Sequence, residues 1–506
     1  MVSNLRFSLN KARAPASRLP PELLSQIFAC LPTPRIPPRP HQPERVWRTS
    51  DASLATINLV CRHWRHIAIG EKELWTHIVA VTALSSESLR LIFDLFLERS
   101  GSYPLSLSII QADNSGRGSD AFDVMEPHVR RLRTLHIDDS WIGTPLLPCF
   151  SQPAPLLEEF KMERPPEFGK FPRVFGGSTP RLRTLDLIGF VPWCGNRFRD
   201  LPTLALGLVE INNPSCLLLM LEDSPRLEHL CLRRCLFRTR ISPLQHPVKV
   251  HHLKTLSLSQ FSVEKISGLN QSLSFPRHGL AIRFDDVKTS DPRGIVNFTQ
   301  IFPPSFPPDL IFSATSLELQ VTPESCTLHA FGHHAATAIQ WESFNDSSAS
   351  RAMRHIVPLF TQLKELWISF HGSGANTILI LDFPALELLV IDQGPTFVSS
   401  LAKMLGPRKR VVPSPHIATI EVRGYVCVAD FAKVLRARAD AGCRLKKLRV
   451  EKHGWSDLLP LEREVDELEL LDELDDRMEL PEICKTDLGE RWLSWRRDPS
   501  DHESHL

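Results

Sequence analysis

One short string, L-x-x-L-x-L with apolar substitutes, recurs down most of this chain and constrains its fold more than any other feature. It reads as Leu132-x-x-Leu135-x-Ile137, Leu157-x-x-Phe160-x-Met162, Leu182-x-x-Leu185-x-Leu187, Leu206-x-x-Val209-x-Ile211, Leu227-x-x-Leu230-x-Leu232 and Leu253-x-x-Leu256-x-Leu258, at intervals of 25, 25, 24, 21 and 26 residues. It resumes at Leu363, Leu386, Ile417 and Leu445, with fainter versions ending at Ile282/Phe284, Leu317/Leu319 and Ile339/Trp341. Strand side chains alternate between faces, so the fourth and sixth positions of each string share one apolar side. A single unit buries too little to fold, and only stacked units share a continuous core. The expected architecture is therefore an α/β repeat solenoid with a parallel sheet, over residues 80–455. Residues 85–110 read as the first unit, with Leu89, Ile92, Phe93, Phe96 and Leu97 on a helical face and Leu105, Leu107 and Ile109 alternating as a strand.

Ahead of the array the text changes. Leu19-Pro20-Pro21-Glu22 is a helix start, because proline suits a first turn that needs no amide donors and Glu22 complements the positive end of the dipole. Leu23, Leu24, Ile27, Phe28 and Leu31 form one apolar face, and Pro32 ends the helix. Six prolines between Pro32 and Pro43 mark an extended insertion over 32–50. A second helical stretch runs from Asp51 to about Gly70 with Leu54, Ile57, Cys61 and Trp64 on one side, and a third short apolar element holds Leu74, Trp75 and Ile78. These pieces are too small for a core of their own and too apolar to leave wet, so they imply a partner surface.

These residues carry a resemblance. Leu19-Pro20-Pro21-Glu22, Ile27-Phe28, Leu31-Pro32, Leu54, Leu59-Val60-Cys61, Trp64-Arg65 and Leu74-Trp75 with Ile78 resemble, in that order, the F-box motif, over about residues 19–79. The resemblance implies a three-helix module that docks on the Skp adaptor of a cullin-RING ubiquitin ligase. Its adaptor-binding residues would be Leu19, Pro20, Glu22, Ile27, Leu31, Pro32, Leu54, Val60, Cys61, Trp64, Leu74 and Trp75. The family's connection between the first two helices is shorter than Thr33 to Ser50 here, although loops tolerate such insertions. Over residues 104–452 the period near 25 resembles the leucine-rich repeat, without its consistent asparagine, which implies an irregular arc with a parallel sheet on its inner face. The pairing of the two resembles the fungal-type F-box and leucine-rich-repeat proteins.

If the fourth and sixth string positions face inward, the third, fifth and seventh face outward. That set includes His136, Asp138, Lys161, Asp186, His229, Arg233, Glu365, Trp367 and Arg423, taken here as candidate target-binding residues, and also Leu208, Glu210 and Asn212. Trp367 stands out, since an outward tryptophan is the kind of residue that anchors an interface. The plainer reading is a solvated sheet face with Trp367 covered by a loop or the C-terminal tail.

Composition excludes several function classes. Lys+Arg at 59 against Asp+Glu at 58 leaves no basic field for a nucleic-acid backbone. No apolar run approaches the roughly 18 residues of a membrane span. The first 18 residues read as a disordered basic tail without a secretory core. Eleven scattered cysteines suit reduced thiols in the cytoplasm or nucleus. Cys326, His329, His333 and His334 fit no closed zinc pattern, and no HExxH, G-x-S-x-G or phosphate-loop text occurs, so no catalysis, cofactor or metal is expected. Residues 456–506 form an acidic end, where ten acids between Glu462 and Glu479, with Leu468, Leu471 and Leu474, suggest an amphipathic helix, and the basic stretch Arg444–Lys452 is available to pair with it. The reading is a non-catalytic substrate-recognition subunit, with a Skp-type adaptor, a cullin beyond it and an unidentified protein target as partners. The alternative is a non-ligase scaffold whose N-terminal helices cap the array.

Overall fold

The computed structural model describes residues 19–30, 51–81, 85–110, 123–138, 150–163, 173–190, 196–241, 245–289, 296, 298–302, 306–307, 313–322, 325–333, 335–342, 359–370, 383–393, 405–407, 412–423, 427–451, 458–471, 478 and 481–484. The basic tail, Leu31, the whole proline-rich insertion from Pro32 to Ser50, and the end of the chain lie outside them. The chain divides into two compact units, Met1–Glu210 and Ile211–Leu506.

In the first unit, α1 (Pro21–Ala29) starts behind Pro20 with a proline in its first turn. The stretch expected as one helix from Asp51 to Gly70 is two, α2 (Asp51–Val60) and α3 (Arg62–Gly70). Cys61 leaves the helix in an extended conformation, and its Sγ accepts the Trp64 amide at 3.4 Å. The thiol thus caps α3, while Arg65 Nε donates to the Asn58 carbonyl at 2.6 Å and satisfies the end of α2. A 3-10 turn, Lys72–Trp75, leads into β1 (His77–Val81).

Among the described residues of this unit, six strands follow one another. They are β1, β2 (Leu105–Ile110), β3 (Leu132–Asp138), β4 (Glu159–Glu163), β5 (Thr184–Ile188) and β6 (Thr203–Gly207), and each is parallel to the next. The helix α4 (Ser86–Ser100), with Ser85 as its cap, crosses from β1 to β2 and buries Leu89, Phe93, Phe96 and Leu97. The parallel sheet therefore begins one strand earlier than the sequence suggested, at Ile78 rather than Leu105.

The string at Leu206 requires a correction. The strand there is Thr203–Gly207, with Leu204 beside Leu185 and Leu206 beside Leu187. The operative text is Leu201-x-x-Leu204-x-Leu206, whose leucines are buried, and the outward neighbours are Thr203, Ala205 and Gly207. Leu208, Glu210 and Asn212 are not on the β6 ladder. Two overlapping strings compete for the same leucine, and pairing with β5 selects the earlier one.

The second unit holds β7 (His229–Arg233), β8 (Thr255–Ser259), β9 (Leu280–Val287), β10 (Ser316–Val321), β11 (Ser325–Phe331), β12 (Ala335–Glu342), β13 (Glu365–Phe370), β14 (Leu388–Gln393), β15 (Thr419–Arg423), β16 (Leu445–Glu451) and β17 (Val465–Leu471). Its order is not sequential throughout. Strands β7, β8 and β9 are parallel neighbours, but β9 is joined by β12, not β10. The antiparallel meander β10-β11-β12 is laid in reversed, so that β10 lies beside β13 and the parallel run resumes through β14, β15, β16 and β17. The three faint strings are thus strands, as the pattern suggested, while their stacking departs from a simple array.

The acidic end also departs from expectation. Val465–Leu471 is a strand at the side of β16, where Glu467 pairs with Lys447 and Glu469 with Arg449. Lys447 Nζ reaches Glu467 and Glu469 at 2.8 Å each, Arg449 Nε reaches Glu469 at 2.9 Å and Arg444 reaches Asp466 at 2.7 Å. The expected pairing with the basic stretch occurs, through a strand, because opposite charges on facing strands and an open ladder outweigh helix propensity. Among the described residues no helix is long and apolar enough to cross a membrane.

Candidate functional site

Two surfaces arise from this framework, the N-terminal helices of the first unit and the outward sheet faces of each unit. On α1 the broad apolar stripe is split. Leu24 and Phe28 are buried against Ile57, Ile67 and Ala68, with Leu19, Trp64 and Leu74 packed alongside, and the Phe28 and Trp64 rings are 5.2 Å apart. Leu23 and Ile27, one residue earlier in each pair, remain 44% and 48% exposed. Leu59 and Val60 at the end of α2 and Ile69 on α3 are exposed as well. Five of the twelve exposed large hydrophobic residues among those described therefore lie on these three short helices. That density marks an interaction surface rather than scattered surface leucines.

The residues expected to touch a partner divide accordingly. Pro20, Glu22, Ile27 and Val60 are exposed, Leu19, Trp64 and Leu74 are half-buried against the small core, Leu54 and Cys61 are half-buried, and Trp75 is buried. Trp75 Nε1 donates to the Ala68 carbonyl at 2.8 Å, its ring meets Phe96 at 5.3 Å, and the Arg99 guanidinium stacks 4.1 Å from its centroid. Its work is internal, tying the helices to α4. Leu23, Leu59 and Ile69 carry exposed apolar surface and were not among the candidate contacts; a helical wheel of α1 separating the Leu23/Ile27 pair from Leu24/Phe28 would have found the first.

The four candidate target contacts of the first unit occupy adjacent strands. His136, Lys161 and Asp186 stand side by side on β3, β4 and β5, and Asp138 lies one step along β3. The hub is Glu159, which was not singled out. Its carboxylate receives Lys161 Nζ and lies 3.3 Å from His136 Nε2. Burial pushes its pKa up, but the hydrogen bonds and charges of His136 and Lys161 outweigh burial and bring it down to about 2.

In the second unit His229, Arg233, Glu365 and Trp367 are half-buried at strand positions that alternate with the core, and Arg423 is buried. His229 Nδ1 is 2.8 Å from Thr255 Oγ1, and burial lowers its pKa. Trp367 is not a free anchor. Its Nε1 donates to Glu365 at 2.7 Å, and Arg423, held to Glu421 at 2.9 Å, places its guanidinium 4.8 Å from the indole centroid. On the neighbouring strands His329 and Gln320 both engage Glu318, at 3.3 and 2.7 Å. Cys326 faces the core opposite Val321 and Trp341, whereas His329 faces outward opposite Glu318, so these two do not share a site. Among the described residues no group of three or more metal-ligating side chains gathers.

The outward face also has a covered patch. Ala281 on β9, Ala336 and Ala338 on β12 and Phe331 on β11 cluster with Met478 and Cys484, while Ile483 and Trp367 pack against them. The short 3-10 turn Glu482–Cys484 thus lies over the sheet.

An F-box-like family model matches residues 16–80, so the N-terminal helices constitute an F-box-like domain. No curated protein sequence matches the chain.

Proposed function

We propose that this protein is a substrate-receptor subunit of an SCF-type cullin-RING ubiquitin ligase. The helices α1 to α3 bind a Skp-type adaptor and through it a cullin, and the strand arrays, read as irregular leucine-rich repeats, hold a protein target for ubiquitin transfer by other subunits. The chain itself performs no bond chemistry. The observation that carries the reading is the unpaired half of the α1 stripe, Leu23 and Ile27, together with Leu59, Val60 and Ile69, inside an F-box-like domain. Burial of such side chains is the main favourable contribution to association, at about 25 cal/mol per Å² of apolar surface.

Reconstitution tests it. The full chain, mixed with purified adaptor and cullin, should elute from a sizing column as one complex, and Leu23→Asp with Ile27→Asp should abolish co-elution. A parent chain that elutes alone would overturn the reading.

A further inference from the structure

We propose that strand β17 is a docking edge, which binds an extended basic segment of a partner by adding it to the sheet as one further strand. The observation behind it is a core row that ends exposed. Among the described residues β17 has one neighbour in the sheet, β16, with Leu448 beside Leu468 and Val450 beside Leu470. Leu448 and Val450 are fully buried, whereas Leu470 in the same row is 47% exposed and Leu468 is half-buried. The short helix Leu459–Glu462 packs on β17 and buries Leu461, yet Leu459 is exposed as well. Stacked units bury each other, and a unit that closes an array needs a polar outer face. This helix and strand instead present leucines that another strand would cover.

The opposite side of the strand supplies the charge. Glu467 and Glu469 alternate with Leu468 and Leu470, and their cations come from β16. Lys447 reaches Oε1 of Glu467 and Oε2 of Glu469, and Arg449 shares that same Oε2. Among the described residues no ion pair reaches Glu467 Oε2 or Glu469 Oε1, and the Glu467 side chain is 61% exposed. A carboxylate accepts at both oxygens, so each retains room for a second cation.

These features define the partner. Opposite charges on facing strands attract, so it carries lysine or arginine opposite Glu467 and Glu469, with branched apolar residues between them against Leu468 and Leu470. Main-chain bonds along the edge hold such a strand, and the alternating side chains select it. A second copy of this chain is the poorer occupant. Antiparallel pairing of two β17 strands that matches their leucines sets a glutamate opposite a glutamate, which is the usual way an edge is guarded against itself. The edge belongs to the second unit, and the proposal goes beyond the ligase reading without depending on it.

The probe is a fluorescent synthetic peptide, lysine-valine-arginine-isoleucine-lysine-valine-arginine between glycine-serine ends, titrated with the full-length protein by anisotropy. Saturable binding is expected, and bound peptide should slow amide exchange in residues 465–471, because a new ladder protects the edge. A peptide of the same composition without the alternation should bind about tenfold more weakly or worse. Leu470→Asn, and separately Glu467→Gln with Glu469→Gln, should each weaken binding of the alternating peptide by about tenfold or more at unchanged circular dichroism. No saturable binding by the parent, equal binding of the two peptides, or binding that leaves exchange in 465–471 unchanged would overturn the proposal. A parent chain that elutes as a dimer, and as a monomer after Leu470→Asn, would assign the edge to a second copy and overturn it equally.

Discussion

The indole of Trp75 meets the ring of Phe96 edge-on at 5.3 Å, and through this contact the F-box-like helices are continuous with the first crossover of the parallel sheet. Arg99 stacks on the indole and Ala68 takes its N–H. The consequence concerns experimental design: a deletion of residues 1–79 would cut β1 in the middle and remove Trp75, so aggregation of the remainder would not distinguish a docking module from a cap. Single substitutions are needed.

Trp75→Ala should lower stability by about 3–5 kcal/mol, the range for emptying a large buried aromatic site. Leu59→Asp, at a position 75% exposed, should change it by less than about 0.5 kcal/mol. Chemical denaturation of the two variants, followed by tryptophan fluorescence and circular dichroism, measures both.

Glu159 should make the first unit acid-sensitive. Its folded pKa, about 2, lies below the unfolded carboxyl value, so the carboxylate's contribution is fully present above the unfolded pKa and is lost as pH falls through the folded one. The loss is expected between about pH 4.5 and pH 2. Glu159→Gln should flatten the denaturant midpoint against pH across that window. An unchanged slope would show that His136 and Lys161 do not hold the carboxylate in solution.

At the far end of the second unit, Lys447→Glu with Arg449→Glu should release β17 by setting like charges opposite Glu467 and Glu469. These pairs are largely solvent-facing, so each contributes little to global stability. The readout is therefore local, as faster amide exchange in residues 465–471, and reciprocal changes of Glu467 and Glu469 to lysine should restore protection.

Arg438, buried on α5 (Val428–Asp440), donates to the carbonyls of Leu405, Pro413 and Ser414 at 3.2, 2.8 and 2.9 Å. Arg438→Met keeps the bulk but leaves those acceptors without their donor, so it should cost on the order of 3 kcal/mol or more. Thermal melting checks it.

Most of the strand positions were legible because their signal is local: Leu135/Ile137, Leu185/Leu187, Leu366/Ile368 and Leu448/Val450 each alternate within one strand. What failed was decided elsewhere in the chain. The register at β6 depends on Leu185 and Leu187, which choose between two overlapping strings. The reversed meander was hidden because alternation is the same in parallel and antiparallel strands, so Leu317/Leu319 and Ile339/Trp341 say nothing of their neighbours. The acidic strand looked helical until Lys447 and Arg449 were placed opposite it. In the N-terminal domain the landmark residues were found, but Trp64 and Trp75 turned inward, since large aromatic side chains gain most from burial, and the exposed surface passed to Leu23, Leu59 and Ile69. The covered patch was legible in part: the reading that the C-terminal tail covers Trp367 agrees with Met478, Ile483 and Cys484 gathering in the cluster it packs against, whereas the alanine floor had no sequence signal because it is assembled from β9 and β12 only in the folded chain.

The most direct test of the account is the affinity of the purified full chain for a purified Skp-type adaptor, measured by calorimetry on the parent, on Ile27→Asp with Leu59→Asp, and on Lys447→Glu with Arg449→Glu as a control in the other unit. The account predicts saturable one-to-one binding by the parent and by the control, and none by the double variant at unchanged circular dichroism. Absence of binding by the parent, or equal binding by all three, would contradict it.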